Sequence, residues 1–207
     1  METTGSRPVP ETKRTIAVFD FDGTITTRDT FIDLLIRTFG AMRFVVGCVR
    51  LAPVLVMYKL GLISNNVAKE RLFSYFFSAM DANTFRNHCD DYSLNRIDRI
   101  TSRACLERIE WHKDQGHELV IVSASVEDWI RPWASRNLFN RVIATRAETK
   151  QGQLTGRFAT ENCYAGQKVE RFLAEYPEKK SYYLYFYGDS RGDVEMVQLA
   201  DAGSMVR

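Results

Sequence analysis

A short apolar run leads directly into two carboxylates near the start of the chain, and this arrangement narrows the choice of fold. The run, Thr15–Phe19 (TIAVF), is β-branched and apolar, and Asp20 and Asp22 follow it with one residue between them. Such a run is typical of a strand that is covered on both faces of a sheet. Ligands of open α/β sheets bind beyond the carboxyl ends of the strands. We therefore expect both carboxylates to lie at a ligand site.

Further apolar runs alternate with helical segments in the second half of the chain. Strands are predicted at Leu119–Val122, Arg141–Arg146 and Tyr182–Tyr187, and helices at about 101–115, 168–176 and 193–200. This alternation predicts an α/β fold, a Rossmann-like parallel sheet flanked by helices.

The stretch between the first two predicted strands has a different character. Residues 31–100 show helix-like spacing without strand alternation, and they are too many for a simple crossover. We expect an inserted helical cap between the first and second strands. The predicted organisation is a disordered lead-in at 1–13, an α/β core at 14–36 and 101–207, and a helical cap at 37–100.

The charge balance gives no support to a nucleic-acid-binding protein, and the cysteine spacing gives none to a zinc-binding or Cys-x-x-Cys redox protein. The chain of 207 residues has 28 basic and 26 acidic residues, a net charge of +2, which is too balanced to predict nucleic-acid binding. No two of the four cysteines lie within four residues of each other, so the sequence has no zinc-ligand pair and no Cys-x-x-Cys motif. We expect free thiols and a cytoplasmic location.

Residues 44–63 form the most apolar stretch of the predicted cap. Arg50, Pro53 and Lys59 interrupt it, whereas a membrane-spanning helix needs about 20 mostly apolar residues. We expect helices that pack against protein, with basic side chains extending to solvent. A surface that contacts lipid, with cations near the headgroups, is the alternative.

Four carboxylates follow predicted strand ends. Asp20 and Asp22 follow the first strand, and Asp189 and Asp193 follow the last long one. Carboxylates that converge on one place repel each other unless a cation lies among them. Oxygen ligands favour a hard ion, which predicts Mg²⁺ as the cofactor. The alternative is that these residues form turns and helix caps.

Two further polar residues occupy comparable positions. Ser123 follows the second strand, and Lys168 begins a helix. A hydroxyl and a lysine at such positions can bind phosphate oxygens. The alternatives are a helix cap for Ser123 and a solvated side chain for Lys168. Ser125, with Asp128 three residues on, is predicted to cap the next helix.

Together these residues resemble the four motifs of the haloacid dehalogenase superfamily of phosphatases. DFDGT (20–24) is similar to its first motif, Ser123 in VIVSAS to the second, Lys168 in GQKVERF to the third, and GDSRGD (188–193) to the fourth. The motifs occur in order over residues 15–203. The inserted cap, together with VSAS, TGRF and Asn162-Cys163, resembles the phosphoserine-phosphatase-like branch.

The resemblance implies a two-step phosphate ester hydrolysis. Asp20 would be the nucleophile and Asp22 the general acid and base. Mg²⁺ would be held by Asp20, the backbone carbonyl of Asp22 and Asp189, with Asp193 in support. The implied phosphate-binding residues are Ser123, Ala124, Lys168, Gly23 and Thr24.

The chain departs from true phosphoserine phosphatases at named positions. Gly23 stands where they usually have Ser, and Gly192 where they usually have Asn. Asp29 lies nine residues after the nucleophile, where the family has an acid that binds the substrate amino group. Asp29 is therefore a candidate substrate-binding residue, with a capping or solvated acid as the alternative.

The leading hypothesis is a phosphomonoester hydrolase that acts on a small phosphorylated metabolite, with a phosphoserine-like compound among the candidates. A lipid-phosphate phosphatase at the membrane surface is the alternative substrate hypothesis. A non-catalytic binding protein on the same fold, and phosphotransfer to an acceptor other than water, also stay open.

Overall fold

The computed structural model of the protein describes residues 13–205. Its main sheet has five parallel strands in the order β3-β2-β1-β6-β7. The strands are β1 Arg14–Phe19, β2 Glu118–Val126, β3 Arg141–Thr145, β6 Tyr182–Gly188 and β7 Ala202–Met205. A separate antiparallel hairpin consists of β4 Ala147–Lys150 and β5 Gln153–Phe158. The predicted α/β fold is confirmed. The predicted lead-in lies outside the described residues except for Lys13.

The central position of β1 explains its composition. It pairs with β2 on one side and β6 on the other, and residues 16–19 are fully buried. Side chains on both faces of this strand therefore contact packed helices, which favours an apolar run without alternation. Asp20 follows the last of these buried residues, so the sheet itself fixes its position.

Six helices lie between β1 and β2, and three more follow β2. The first five are α1 Thr30–Phe39, α2 Ala41–Arg50, α3 Ala52–Lys59, α4 Asn65–Phe77 and α5 Ala82–Asn95. The later helices are α6 Arg103–Asp114, α7 Glu127–Arg136, α8 Gly166–Glu175 and α9 Val194–Leu199. Short 3₁₀ turns occupy Ile97–Ile100, Lys179–Ser181 and Arg191–Asp193. The predicted insertion of helices between the first two strands is confirmed, and the cap bounds at 37–100 stay a prediction.

An aromatic core joins the cap to the hairpin. Phe73 on α4 is fully buried and contacts Phe77, Phe85 and Phe158 at ring-centroid distances of 4.9–6.0 Å. The Phe158 backbone N–H donates to the Glu70 carboxylate over 2.9 Å. These contacts fix α4 against β5, and α4 in turn forms one wall of the site described below.

Helices α2 and α3 agree with the prediction only in part. Residues 44–63 are largely helical as expected, and Phe44 and Leu51 pack against the core. The packing is one-sided, however, because α3 has no buried residue and α2 buries only Gly47. The apolar pattern is the same for a core helix and an exposed one, so the sequence did not distinguish them. No single helix among residues 13–205 is long and apolar enough to cross a membrane. The α2–α3 pair reaches that length and composition only jointly, and it is bent by 68°.

Candidate active site

The carboxyl edge of the sheet brings the predicted polar residues together. Asp20 follows β1, Ser123 lies on β2, Asp189 follows β6, and Lys168 lies in the first turn of α8. The Lys168 ammonium donates to Asp20 Oδ1 over 2.6 Å and to Asp193 Oδ1 over 2.5 Å. Lys168 is 2% exposed, so the alternative of a solvated surface lysine is wrong.

Both oxygens of the Asp193 carboxylate accept hydrogen bonds from neighbouring groups. Its second oxygen, Oδ2, accepts from the backbone N–H groups of Asp189 (3.2 Å) and Ser190 (3.0 Å) and from the Ser190 hydroxyl (2.8 Å). Asp193 is fully buried. Its contacts suit a residue that orients Lys168 and the 188–193 loop, and its supporting part at the metal stays a prediction.

The hydrogen bonding of the Asp189 carboxylate differs from that of Asp193. Its Oδ1 is buried and has no hydrogen-bond partner among the described residues. One carboxylate oxygen from each of Asp20, Asp189 and Asp193 lies within 4.8 Å of the others. Burial, followed by the charge of Asp193, raises the pKa of Asp189. An unpartnered buried oxygen among clustered carboxylates fits a hard divalent cation such as Mg²⁺.

Gly23 permits the approach of Asp189 to the first loop. Its φ is +80°, and a Cβ at this position would lie 2.1 Å from Asp189 Oδ2. Any side chain here would displace the Asp189 carboxylate. The departure from the Ser of phosphoserine phosphatases therefore has a local reason in this chain.

The Asp22 carboxylate lies outside the three-carboxylate cluster. Its Oδ1 accepts from the Thr30 backbone N–H (2.9 Å) and hydroxyl (2.6 Å), and its Oδ2 accepts from the Ser125 hydroxyl. Any metal contact of Asp22 would thus come from its backbone carbonyl. Burial, followed by the charge of Asp29, raises the pKa of Asp22. A raised pKa suits a carboxyl group that carries a proton to a leaving group.

Burial also dominates the electrostatics of the Asp20–Lys168 pair. It raises the pKa of Asp20 to about 7 against the opposing charge of Lys168, with Asp193 adding to the rise. Burial lowers the pKa of Lys168, but Asp20 and Asp193 together outweigh it, so the net shift is upward and the ammonium is retained. Three carboxylates around one lysine leave an excess of negative charge that a cation would neutralise.

The expected phosphate-binding residues lie in the loop after β1, on β2 and on α8. The Ser123 hydroxyl is buried and accepts from the Ser125 backbone N–H over 3.1 Å. The Thr24 hydroxyl is buried without a partner among the described residues. The Ala124 carbonyl accepts from Lys69 (2.8 Å) and from Thr145 (2.9 Å). Gly23, Ala124 and Lys168 line one cavity, and the phosphate-binding roles of all five residues stay predictions.

Asp29 caps a helix, as the alternative interpretation predicts, and it also lines the cavity at the site. It is the N-cap of α1, and its Oδ1 accepts from the Ile32 backbone N–H over 3.0 Å. It lines a cavity of about 500 Å³ together with Asp22, Lys168 and Asp189. Its proposed contact with a substrate amino group stays a prediction.

Sequence reasoning missed Lys69 and misassigned Ser125. Lys69 comes from α4 of the cap, lines the cavity and is held by the Ala124 carbonyl. Burial lowers its pKa against the raising charges of Asp22 and Asp29. Ser125 does not cap a helix, because α7 has Val126 as its N-cap with no side-chain bond, and it holds Asp22 instead. The only sequence signal for Lys69 is that no acidic residue lies three or four positions from it on α4.

Gly192 also has a packing reason. A Cβ at Gly192 would lie 2.3 Å from the ring of Tyr164, which lines the cavity. Where phosphoserine phosphatases usually carry Asn, this chain therefore has a tyrosine ring against a glycine.

Comparison with known proteins gives one family model and several similar proteins. The model of the haloacid dehalogenase-like hydrolases matches residues 17–198. Protein CicA of Caulobacter vibrioides is 28% identical over 195 residues, which cover 90% of this chain and 83% of CicA.

Among solved structures, a protein of unknown function from Bordetella pertussis Tohama I has a TM-score of 0.80 and 22% identity, covering 93% of this chain and 89% of that one. A phosphoserine phosphatase, in a structure of a phospho-aspartyl intermediate analogue, has a TM-score of 0.64 and 19% identity, covering 92% and 85%. These likenesses concern the fold.

Proposed function

The chain belongs to the haloacid dehalogenase-like hydrolase family, and on that basis we propose that it is a Mg²⁺-dependent phosphomonoester hydrolase. Membership confirms the predicted family and hydrolase class, and the fold agrees with the predicted phosphoserine-phosphatase-like branch. The observation that carries the proposal is the buried Lys168 ammonium shared by Asp20 and Asp193, beside the unpartnered Asp189 oxygen.

In the first proposed step, an Asp20 carboxylate oxygen attacks phosphorus. The P–O bond to the leaving group breaks as the bond to Asp20 forms, which gives an aspartyl-phosphate. Asp22 donates its proton to the leaving oxygen, so the product departs as an alcohol. Thr30 and Ser125 hold the Asp22 carboxyl in place for this transfer.

In the second proposed step, water attacks the phosphorus of the aspartyl-phosphate. Asp22, now ionised, accepts a proton from that water, and the bond to Asp20 breaks to release inorganic phosphate. Lys168 and the Ser123 hydroxyl stabilise the phosphoryl oxygens in both steps. Bound Mg²⁺, held by Asp20, Asp189 and the Asp22 backbone carbonyl, would neutralise phosphoryl charge. The substrate class at this level is a phosphate monoester.

The test is phosphate release from para-nitrophenyl phosphate with Mg²⁺ and with chelator. Asp20→Asn should lower release by at least about 10³-fold, because it removes the nucleophile. Asp114→Asn, an exposed acid at the end of α6, is the matched control and should leave release unchanged. Thermal unfolding of each variant verifies the fold. Full activity of Asp20→Asn would refute the nucleophile assignment, and no metal-dependent release from the folded wild type would favour a binding role.

A further inference from the structure

Helices α2 and α3, with the turn that follows them, present an apolar surface to solvent, which we call the outer cap face. Six of its side chains are 54–78% exposed: Met42, Val45, Val49, Val56, Leu60 and Leu62. Large apolar side chains are individually common at protein surfaces, but a contiguous group on one helix pair marks an interaction site.

The described part of the fold offers this face no partner. Helix α3 (APVLVMYK) is apolar on all sides except its last residue and has no buried residue. A helix of that composition is ordinarily buried in a protein core or in lipid. Helix α2 contacts the rest of the cap through Gly47, where a Cβ would lie 2.7 Å from the Phe76 ring. The close contact at Gly47 holds the pair while its other side stays exposed.

The charge pattern around the outer cap face is one-sided. No acidic residue occurs between Asp33 and Glu70, although the chain has nearly as many acidic as basic residues overall. The same interval holds five basic residues: Arg37, Arg43, Arg50, Lys59 and Lys69. Three of them, Arg43, Arg50 and Lys59, are exposed and form no ion pair with any residue between 13 and 205. The face therefore combines apolar surface with uncompensated positive charge.

This combination favours an anionic bilayer over a second copy of the chain. A two-fold contact would place the same face against itself and bring its basic residues together without acids between them. An anionic leaflet offers acyl chains to the apolar side chains and negative headgroups to the arginines and the lysine. The 68° bend between α2 and α3 suits a helix pair that lies in the interface.

The outer cap face is continuous with the candidate active site. Leu55 and Tyr58 of α3 line the same cavity as Asp22 and Lys168. A bilayer bound to α3 would thus lie beside the cavity entrance. We propose that the outer cap face docks on anionic membranes and that the site acts on a phosphomonoester headgroup carried by a lipid. The substrate half of this inference rests on the proposed phosphatase function, whereas the docking half does not.

Docking is tested by co-sedimentation of the full chain with phosphatidylcholine vesicles that contain or lack phosphatidylglycerol. Binding should require the anionic lipid and weaken with salt. Leu60→Glu should lower vesicle affinity by about tenfold or more, because it replaces an apolar side chain that would enter the bilayer with a charge that anionic lipid repels. Leu138→Glu is the matched control, since Leu138 is 72% exposed and Leu60 68%. It should bind like the wild type.

The charge contribution has its own variant pair. Arg50→Gln/Lys59→Gln should lower affinity for anionic vesicles by about 30-fold. Arg99→Gln/Lys180→Gln removes the same charge from exposed positions outside the interval and should change affinity little. Equal losses in both double variants would show attraction by net charge and overturn the docking surface. Absence of vesicle binding, with Leu60→Glu converting a dimer to a monomer, would assign the face to a second copy and overturn the proposal.

The substrate half is tested by phosphate release from phosphatidic acid in those vesicles, with para-nitrophenyl phosphate measured in parallel. We expect Leu60→Glu to lower release from phosphatidic acid by about tenfold or more, in line with its affinity, and to leave aryl phosphate release unchanged. Aryl phosphate release without any lipid phosphate release would overturn the lipid substrate and retain the phosphatase. Failure with both substrates, with vesicle binding intact, would overturn the phosphatase and retain the docking surface.

Discussion

The site edge of the sheet and the outer cap face depart from the usual distribution of residues in opposite directions. At the site, Asp20, Lys168 and Asp193 are at most 5% exposed, although charged residues are rarely buried. On the outer cap face, Met42 and Leu62 are 78% and 70% exposed. The buried charges have partners within the molecule, and the exposed apolar side chains have none among residues 13–205. The buried charges need only a small cation to balance them, whereas the outer cap face requires a large partner from outside.

Lys168→Met disrupts the buried charge cluster at the site and should have the largest effect of these variants. It removes the ammonium shared by Asp20 and Asp193 and leaves their charges uncompensated. We expect a loss of stability of about 3–5 kcal/mol in chelator, and a fall in phosphate release of at least about 10³-fold. Urea unfolding and phosphate release measure the two effects.

The exposed Lys180→Met is the control for that variant and should change neither quantity. Adding Asp193→Asn to Lys168→Met should recover part of the stability and none of the activity, because it removes one uncompensated charge. An unfolding midpoint of Lys168→Met equal to that of the wild type would show that the buried charges do not depend on each other.

Gly23→Ala tests how closely the site is packed. Its Cβ would lie 2.1 Å from the Asp189 carboxylate, which must therefore move, and a misplacement of about 1 Å costs about 10²-fold in activity. The Mg²⁺ concentration for half-maximal release should rise at the same time. Gly152→Ala is the control, because Gly152 has a similar φ of +78° and open space around an added Cβ. If both variants lose activity equally, backbone strain and not the Asp189 contact is responsible.

The parts of the site that lie at strand ends were predictable from sequence, and the parts that the cap contributes were not. Asp20, Ser123 and Asp189 lie together because parallel strands end at one edge, which the order of apolar runs already implies. Lys69 reaches the site through the packing of α4 on the hairpin. That contact joins residues about 88 positions apart and leaves no local pattern.

Local patterns also have more than one structural meaning. The Ser125-x-x-Asp128 spacing predicts a helix cap, yet the strand continues to Val126 and Ser125 faces Asp22 instead. The apolar residues of α2 and α3 have helical spacing whether protein or another phase covers them. Only the position of these helices relative to α4 shows which side is left open. The boundaries expected for the core and the cap stay a proposal.

His112 is a buried polar group in the core, and it should make the stability of the fold depend on pH. It is fully buried between Tyr187 and His117, and burial lowers its pKa to about 4, with the charge of His117 adding to the effect. The unfolded chain protonates near pH 6.5, so the folded state loses stability as pH falls from 6.5 towards 4. Between pH 7 and pH 5 the loss should be about 2 kcal/mol.

Urea unfolding across this pH range measures the effect of His112. His112→Gln should remove that part of the pH dependence, whereas His88→Gln on α5 should retain it. An unchanged slope in His112→Gln would mean that other groups account for the acid sensitivity.

The smallest expected effect is that of a substitution on the outer cap face, compared with one in the aromatic core of the cap. Leu72 on α4 is 7% exposed and belongs to the aromatic core, whereas Leu60 is 68% exposed. Leu72→Ala should cost about 2–5 kcal/mol, because it leaves a cavity among packed side chains. Leu60→Ala should change the free energy of unfolding by less than about 0.5 kcal/mol in lipid-free solution, because it removes no packed contact. Urea unfolding of both variants at several protein concentrations measures this contrast. A cost for Leu60→Ala that approaches that of Leu72→Ala and grows with protein concentration would show that another copy of the chain covers the outer cap face, and its apolar side chains would then be packed as those of the aromatic core are.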